Sequence, residues 1–308
     1  MCEHAHFSCT IGSRDALTIP ESVSVALLPF PTWSLPLKAL LSFQRHPGPA
    51  CILGMALLAS SGAMAQGGGD AVPDTWRFSA GLGVLSQPRY PGSDGSKTNV
   101  LPMVSANYGR YILGGIPGAG VPLGVGAYLV QTPEWRLGVA LGGQLSKPRE
   151  EADSARLLGT GDIDSTALAA VFGSYSQKWW VARVGVLTDV GGKGQGTRIG
   201  VDLEARHALT NQLFLSAGPG FTWADKKYTQ TFFGVTGAQS SRSGLAVYTP
   251  GAGVNMVRFN LGANYQVSPQ WGVGARVTLA SLRGDAVHSP ITEKKSQNTV
   301  GIFANYNF

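Results

Sequence analysis

The sequence predicts an all-β protein, a transmembrane antiparallel up-and-down β-barrel of about 12 strands with short periplasmic turns and longer extracellular loops. Three observations lead to this fold class. Apolar and polar residues alternate with a period of two through most of the chain after residue 75. Charged residues form only 14% of the chain, against about 25% in ordinary soluble proteins, so much of the surface does not face water. An export signal precedes the alternating region.

Residues 1–65 have the features of an N-terminal extension followed by a secretory signal. A basic segment precedes the apolar run 50–59, and small residues lead to a cleavage site after Ala65. The apolar run is too short for a membrane-spanning helix, which needs about 20 apolar residues. Since signals usually have about 15–30 residues, we expect that residues 1 to about 35 are not made. A genuine long leader is the alternative, and in both cases the barrel domain covers 66–308.

The cysteines and the net charge restrict the chemistry of the predicted barrel domain. Cys2, Cys9 and Cys51 all precede residue 66, so a disulfide, a thiolate metal site and a cysteine nucleophile are excluded there. The net charge of +6 favours anionic partners such as lipopolysaccharide or murein, or reflects a few surplus surface lysines. We expect no nucleic-acid partner and no cofactor.

The alternation defines the strands in order. They are expected at 75–85, 98–107, 108–116, 120–130, 134–145, 164–176, 179–189, 197–208, 212–223, 253–267, 270–282 and 298–308. The count is weakest at 98–116, so ten strands is the alternative. The uncharged stretch 111–133 is long enough to cross a membrane, but its six glycines and three prolines exclude a helix. Helical spacing is not sustained anywhere after residue 70.

Turn lengths and aromatic residues give the strands a common orientation. Tight turns at 132–133, 177–178, 210–211 and 268–270 alternate with polar loops at 86–97, 146–163, 190–196, 224–252 and 283–297. Tryptophans begin strands on the short-turn side, at Trp76, Trp135, Trp179, Trp180 and Trp271. Aromatic residues also end strands there, at Tyr265, Tyr306 and Phe308. A soluble β-sandwich would alternate equally well, but it would not need an aromatic girdle at one end of its strands.

The strand 298–308 is expected to close the barrel. Its apolar face, Val300 to Phe308, is predicted to contact lipid, and the strand must pair with the first one to leave no open edge. Tyr306 and Phe308 resemble the signal that the outer-membrane assembly machinery reads. We therefore expect deletion of Phe308 to impair insertion.

Several ordered motifs carry a resemblance to a known family. They are Tyr90-Pro-Gly-Ser-Asp94, Gly191-Gly-Lys-Gly-Gln-Gly-Thr197 with the segment that follows it, Leu282-Arg-Gly-Asp-Ala286 and Ser289-Pro-Ile291. From Trp76 to Phe308 the chain resembles the MipA/OmpV family of Gram-negative outer-membrane proteins. The resemblance implies an outer-membrane barrel surrounded by lipid and lipopolysaccharide. One member is described as a scaffold that joins a lytic transglycosylase to a bifunctional penicillin-binding protein, and others look like adhesins or antigens.

These motifs supply the candidate loop residues Tyr90, Asp94, Lys193, Gln195, Asp285 and Ser289. The glycine-rich loop 191–196 lacks the order of a phosphate-binding loop and no helix follows it, so a tight turn with positive backbone dihedrals is favoured. The proline and glycine of 90–94 indicate a turn. The acidic residues of the loop 146–163 match no known calcium spacing, which favours a solvated loop.

Charged residues that point into the barrel are the second candidate site. By parity they are Arg77, Arg136, Arg183, Arg198, Asp202, Glu204, Arg206, Arg258 and Arg276. They either line a narrow lumen that prefers anions or form a ladder of arginines and acids that fills it. We favour the filled lumen, because neighbouring opposite charges inside a small barrel more often stabilise the barrel than conduct ions.

An enzyme is not expected. The predicted barrel domain contains two histidines, His207 and His288, and they fall at opposite ends of the barrel. No Gly-x-Ser-x-Gly elbow is present, and two separated histidines form no metal site. The remaining hypotheses are a non-catalytic envelope scaffold, a narrow anion-preferring channel and a surface adhesin that acts through its extracellular loops.

Overall fold

The computed structural model describes residues 75–116 and 118–308, so the predicted signal segment 1–65 lies outside the described residues. The described residues form a closed barrel of twelve strands, which confirms the predicted fold class. The strands are β1 (Trp76–Pro88), β2 (Ser96–Tyr108), β3 (Tyr111–Ile116), β4 (Val121–Gln131), β5 (Trp135–Gly143), β6 (Ala167–Ser176), β7 (Trp180–Asp189), β8 (Thr197–Ala208), β9 (Leu213–Ala224), β10 (Gly253–Gln266), β11 (Trp271–Leu282) and β12 (Thr299–Asn307). The uncertain region 98–116 forms two strands with a turn between Tyr108 and Tyr111, so the ten-strand alternative is wrong.

Each strand pairs antiparallel with its neighbours in sequence, and β12 closes the barrel against β1. The closing register places Ser79 opposite Asn307 and Val84 opposite Ile302. The sequence predicted this pairing because an open edge is costly in lipid. Every strand is therefore bonded on both sides, and the order of the strands in the barrel follows their order in the chain.

The outer face of the barrel is apolar on all sides. Large apolar side chains are exposed on one parity of each strand, for example Leu82, Val100, Leu141, Val171 and Ile302. Such a belt on the outside of a closed barrel is the surface that contacts lipid. Within the part of the chain that the structure describes, no helix is long and apolar enough to cross a membrane.

The hairpin between β3 and β4 is short and its tip bends into the barrel interior. Gly114 has φ 100° and marks an irregularity in the pairing of the two strands. Beyond it, Ile116, Ala119 and Val121 are buried against the inner faces of β5, β6 and β7. The tip of this hairpin thus occupies part of the barrel interior, although its strands belong to the barrel wall.

The long extracellular loops differ from the prediction because they contain short helices. These are α1 (Lys226–Phe233), α2 (Gly237–Ser243) and α3 (Asp285–His288), with two 3-10 turns at Glu151–Asp153 and Ala155–Leu157. Asp225 caps the first turn of α1 through a bond from the Tyr228 N–H, and Tyr228, Phe232 and Phe233 are buried. The apolar face of α1 is only three residues, too short to stand out as a helical period in the sequence.

Four of these loops meet over the extracellular end of the barrel, and we call them together the cap. They are the segments 89–95, 144–166, 225–252 and 283–298. Each loop contributes one buried side chain to a common cluster, formed by Tyr90, Leu157, Val235 and Ile291. The loop 190–196 has positive φ at Gly192, Gly194 and Gly196, so its predicted tight turn is confirmed.

Candidate functional site

The charged interior is built around one carboxylate that contacts three arginines. Glu204 on β8 contacts Arg183 on β7 at 3.3 Å, Arg206 on β8 at 3.2 Å and Arg276 on β11 at 3.4 Å. All four side chains point inward, as the parity of their strands predicted. Arg276 reaches Glu204 across β9 and β10, where the inward positions opposite it are Gly262 and Ser216. This contact therefore crosses two strands on the inner side of the wall.

A second ion pair lies nearer the extracellular side. Arg258 on β10 donates to both carboxylate oxygens of Asp202 on β8, from Nε and from Nη2, at 2.7 Å each. The two residues are bridged across β9, where Gly220 lies directly between them. A Cβ at Gly220 would collide with the Asp202 carboxylate and would lie 3.0 Å from Arg258 Nε. Glycine is therefore required at this position by the ion pair itself.

Together these residues form what we call the ionic lumen network, and three predicted lumen arginines lie outside it. Arg77 and Arg136 are exposed near the periplasmic end, and Arg198 is half-buried beneath the cap, where it faces Phe232 and Gln195 across a small cavity. None of the three forms a salt bridge with another residue in the described ranges. The nine charged positions that were predicted from parity therefore divide into a paired group of six and an unpaired group of three.

Apolar side chains fill the interior on the other side. The apolar lumen cluster consists of Ile112, Ile116, Ala119, Val121, Ala140, Leu168, Ala170, Phe172 and Leu187. Phe172 on β6 lies opposite Gly138 on β5, and a Cβ at Gly138 would lie 2.6 Å from the Phe172 ring. A smaller group of Leu85, Leu101 and Phe303 lies around β1, β2 and β12, with Met103 packed against it. The interior thus has an apolar part and an ionic part.

Tyr90 connects two loops of the cap. Its hydroxyl donates to the Ile291 carbonyl at 3.2 Å and to Glu293 Oε2 at 2.9 Å. Burial, with the Glu293 carboxylate second, raises the pKa of Tyr90 well above its ordinary value. The predicted turn is confirmed by the bond from the Ser93 N–H to the Tyr90 carbonyl at 3.0 Å. Tyr90 therefore holds the cap together and leaves no hydroxyl free for an external ligand.

Asp285 and Ser289 also make contacts within the cap. Asp285 accepts a bond from the Gly251 N–H at 2.7 Å, and the Ser289 hydroxyl donates to the Phe233 carbonyl at 2.5 Å. His288 is exposed beside Ser289, while His207 lies at the periplasmic end of β8. The predicted separation of the two histidines is confirmed. Because the Ser289 hydroxyl is directed at a carbonyl, His288 does not activate it as a nucleophile.

The candidates of the glycine-rich loop have separate contacts. Gln195 is buried, accepts a bond from Gln144 at 2.7 Å and donates to the Asp164 carbonyl at 2.6 Å. Lys193 forms an exposed salt bridge with the Asp164 carboxylate at 3.3 Å. Asp94 is exposed at the tip of its turn. The six loop candidates therefore do not converge on one site. Four of them stabilise the loops through hydrogen bonds, namely Tyr90, Gln195, Asp285 and Ser289.

The acidic residues of the loop 144–166 have protein partners. Lys147 contacts Asp162 at 2.7 Å, and the hydrogen bond from Lys147 lowers the pKa of Asp162. Glu151 accepts a bond from the Gly161 N–H at 2.6 Å. Across residues 75–116 and 118–308, no group of three His, Cys, Asp or Glu side chains could hold a metal ion.

Sequence reasoning missed a buried arginine in the cap. Arg149 is 2% exposed and donates from Nη1 to the Phe232 carbonyl at 3.2 Å. Its Nε has no hydrogen-bond partner among residues 75–116 and 118–308. Burial lowers the pKa of Arg149 to about 10. The residue belongs to a polar run, Lys147 to Glu151, that looks like a solvated loop. No local signal distinguishes it, because its burial depends on α1, which lies far away in the sequence.

The aromatic girdle lies where the sequence placed it. Trp76, Trp135, Trp179 and Trp271 are exposed at the periplasmic ends of their strands. The predicted insertion residues belong to the same band, since the Tyr306 ring lies 5.1 Å from that of Trp271 and 4.8 Å from that of Phe308. The signal function of Tyr306 and Phe308 stays a prediction.

A closed twelve-stranded barrel with an apolar outer belt and an aromatic girdle is an integral protein of the outer membrane of a Gram-negative bacterium. The model of the family described as MltA-interacting protein MipA matches residues 80–308. The chain therefore belongs to this family, and the predicted resemblance is confirmed.

Other comparisons concern the fold. An outer membrane channel from Pseudomonas putida F1 is 14% identical with a TM-score of 0.43, covering 79% of this chain and 99% of that one. A loop-deletion mutant of OmpT from Vibrio cholerae is 10% identical with a TM-score of 0.36, covering 78% of this chain and 100% of that one. The toluene transporter TbuX of Ralstonia pickettii is 13% identical with a TM-score of 0.34, covering 76% and 89%. Similarity at this level supports no inference about transport by this protein. No curated protein matches the chain.

Proposed function

We propose that this protein is a non-catalytic scaffold of the cell envelope that binds murein enzymes at the periplasmic side of the outer membrane. The name of its family refers to an interaction with MltA, and the proposed partners are a lytic transglycosylase and a bifunctional penicillin-binding protein. The carrying observation is that ion pairs and apolar side chains occupy the barrel interior while four loops join over its outer end. The periplasmic turns and rim are then the surfaces that partners can reach.

Exposed apolar residues in the periplasmic turns support this proposal. Trp179 precedes β7, Leu209 lies between β8 and β9, and Val267 lies between β10 and β11. All three side chains are at least half exposed. Apolar and aromatic side chains of this kind dominate binding at protein interfaces. Aromatic side chains are also common at the membrane–water interface.

The test is capture of the two enzymes from envelope extracts by the detergent-solubilised barrel. We expect the wild-type protein to retain both enzymes and Leu209→Ser to weaken binding at least tenfold. Val247→Ser is the matched control, because Val247 is equally exposed but lies in the cap. Failure of the wild-type protein to retain either enzyme would refute the scaffold. Loss of binding only in Val247→Ser would contradict binding at the periplasmic turns.

A narrow anion-preferring channel is the second candidate, because arginines outnumber acids in the lumen. Among the nine charged lumen positions there are seven arginines and two acids. Recording in planar bilayers separates this function from the scaffold. A steady conductance whose anion preference falls in Arg198→Glu or Arg258→Glu would support the channel, and silence in the wild-type protein would support the scaffold.

A further inference from the structure

Four inward residues of the ionic lumen network, with Arg136 on the periplasmic side of them, form a positively charged group that we call the recess, defined by Arg136, Arg183, Arg206, Glu204 and Arg276. Glu204 and Arg276 form its inner end, with side chains 7% and 9% exposed. Arg183 and Arg206 remain in contact with water, at 20% and 29%. Arg136 lies at the periplasmic end of β5 and is exposed. Arg136, Arg183 and Arg206 are thus the members of the recess that contact water.

Among the described residues, positive charge exceeds negative charge in this recess. One carboxylate, Glu204, contacts the guanidinium groups of Arg183, Arg206 and Arg276. Arg206 is also repelled by both Arg183 and Arg136. Like charges held this close together repel one another, and an anion that binds between them relieves the repulsion. The described part of the barrel therefore holds an excess of positive charge at this place.

Donor groups are available as well as charge. Within the residues that the structure describes, Arg183 contacts Glu204 through Nη2 alone and Arg206 contacts it through Nε alone. A guanidinium carries five N–H donors in a planar fork, and this fork matches the two oxygens of a carboxylate or a phosphate. The two arginines that contact water can therefore bind an oxyanion without losing their contacts with Glu204.

We propose that this recess is a binding site for a periplasmic oxyanion, held by Arg183 and Arg206, with Arg136 at its entrance. The ligand class is a carboxylate or phosphate group presented from the periplasm. Two sources share this chemistry, namely the free carboxylates of a murein stem peptide and small phosphate compounds. This site is independent of the scaffold, because it requires no partner protein.

The test is isothermal titration of the folded barrel in an uncharged detergent with two probes, inorganic tripolyphosphate and a synthetic murein stem tetrapeptide. We expect at least one probe to bind. Arg183→Gln and Arg206→Gln should each weaken binding at least tenfold. Glu204→Gln should strengthen it several-fold, because the carboxylate repels the anion. The matched control is Arg198→Gln, an inward arginine under the cap, which should bind like the wild-type protein.

The titration distinguishes the two sources of the ligand and can overturn the proposal. Tighter binding of the tetrapeptide identifies murein carboxylates as the source, and binding of tripolyphosphate alone identifies small phosphates. Absence of binding by both probes overturns the proposal, as does equal weakening in Arg198→Gln, which would indicate only the general field of the lumen. Heat-modifiable mobility in gels verifies that each variant is folded. If Arg206→Gln fails to fold, Arg206→Lys keeps the charge and loses the fork, so weaker binding to both probes is expected.

Discussion

The two parts of the barrel interior are filled in different ways. In the apolar lumen cluster, side chains pack without directed bonds, as where Phe172 on β6 covers Gly138 on β5 and contacts the ring of Tyr128 on β4. In the ionic lumen network, contacts skip strands, because Arg258 reaches Asp202 over β9 and Arg276 reaches Glu204 over two strands. Both parts thus join strands that share no backbone bonds, but the apolar part does so by filling volume and the ionic part by bonds between specific atoms.

The difference predicts where each part is vulnerable. An apolar contact has no required direction, so a lost side chain leaves a cavity whose cost depends on its volume. An ion pair has required partners, so removal of one leaves a buried charge without compensation. Both parts depend on inward glycines, since Gly138 accommodates an aromatic ring and Gly220 an ion pair.

Phe172→Ala should have the largest effect. Phe172 is buried at 6% exposure, and its ring also lies 5.8 Å from that of Tyr128. We expect the free energy of unfolding to fall by about 3–5 kcal/mol, measured by denaturant titration after refolding into lipid vesicles. Val171→Ala is the control, because Val171 faces lipid with 59% exposure. Equal losses in the two variants would show that the apolar cluster is not a packed core.

Glu204→Gln tests the ionic part. It keeps the shape of the side chain and leaves three arginines without their shared carboxylate. We expect a loss of about 2–3 kcal/mol in the same titration, less than for a fully buried pair because Arg183 and Arg206 contact water. In the double variant with Arg206→Gln part of this loss should be recovered. A double variant that is less stable than Glu204→Gln would contradict the account of mutual repulsion.

Gly220→Ala sharpens the comparison by adding volume instead of removing charge. The new methyl group would collide with the Asp202 carboxylate and force Arg258 to move. A loss of about 1–2 kcal/mol is expected from this overpacking. Gly237→Ala in α2 is the control, because nothing lies within 4 Å of its added Cβ. A neutral Gly220→Ala would mean that the ion pair can bridge β9 in another geometry.

Tyr90→Phe should have the smallest effect, because the cap lies outside both parts of the lumen. Loss of the bonds to Ile291 and Glu293 should cost about 1 kcal/mol. Since burial raises the pKa of Tyr90, the folded protein keeps the phenol proton where the unfolded chain loses it. Its contribution is complete below about pH 10 and is lost as the pH rises further. The protection factors of the α1 and α2 amides, which remove the base-catalysed intrinsic exchange rate, should fall at alkaline pH in the wild-type protein and change less in Tyr90→Phe.

The sequence predicted the barrel well because its signal is local. Alternation with a period of two identifies a strand and its inward face from neighbouring residues alone, which is why Arg183, Glu204 and Arg276 were all expected to point inward. The contacts between these side chains were not predictable. Glu204 and Arg276, for example, lie on strands that are brought together by the curvature of the wall. The cap was not predicted for the same reason, since Tyr90 and Ile291 come from opposite ends of the barrel domain.

The pairing of β1 with β12 has a consequence for the order of events in folding. Ser79 and Asn307 lie near the two ends of the described chain, yet they are neighbours across the closing seam. Contacts between such distant residues are slow to form, because a long segment must be ordered before they gain anything. Until that seam forms, β1 and β12 each present an unpaired edge that can associate with other chains. The export route must therefore protect the first strand for as long as the last one is missing.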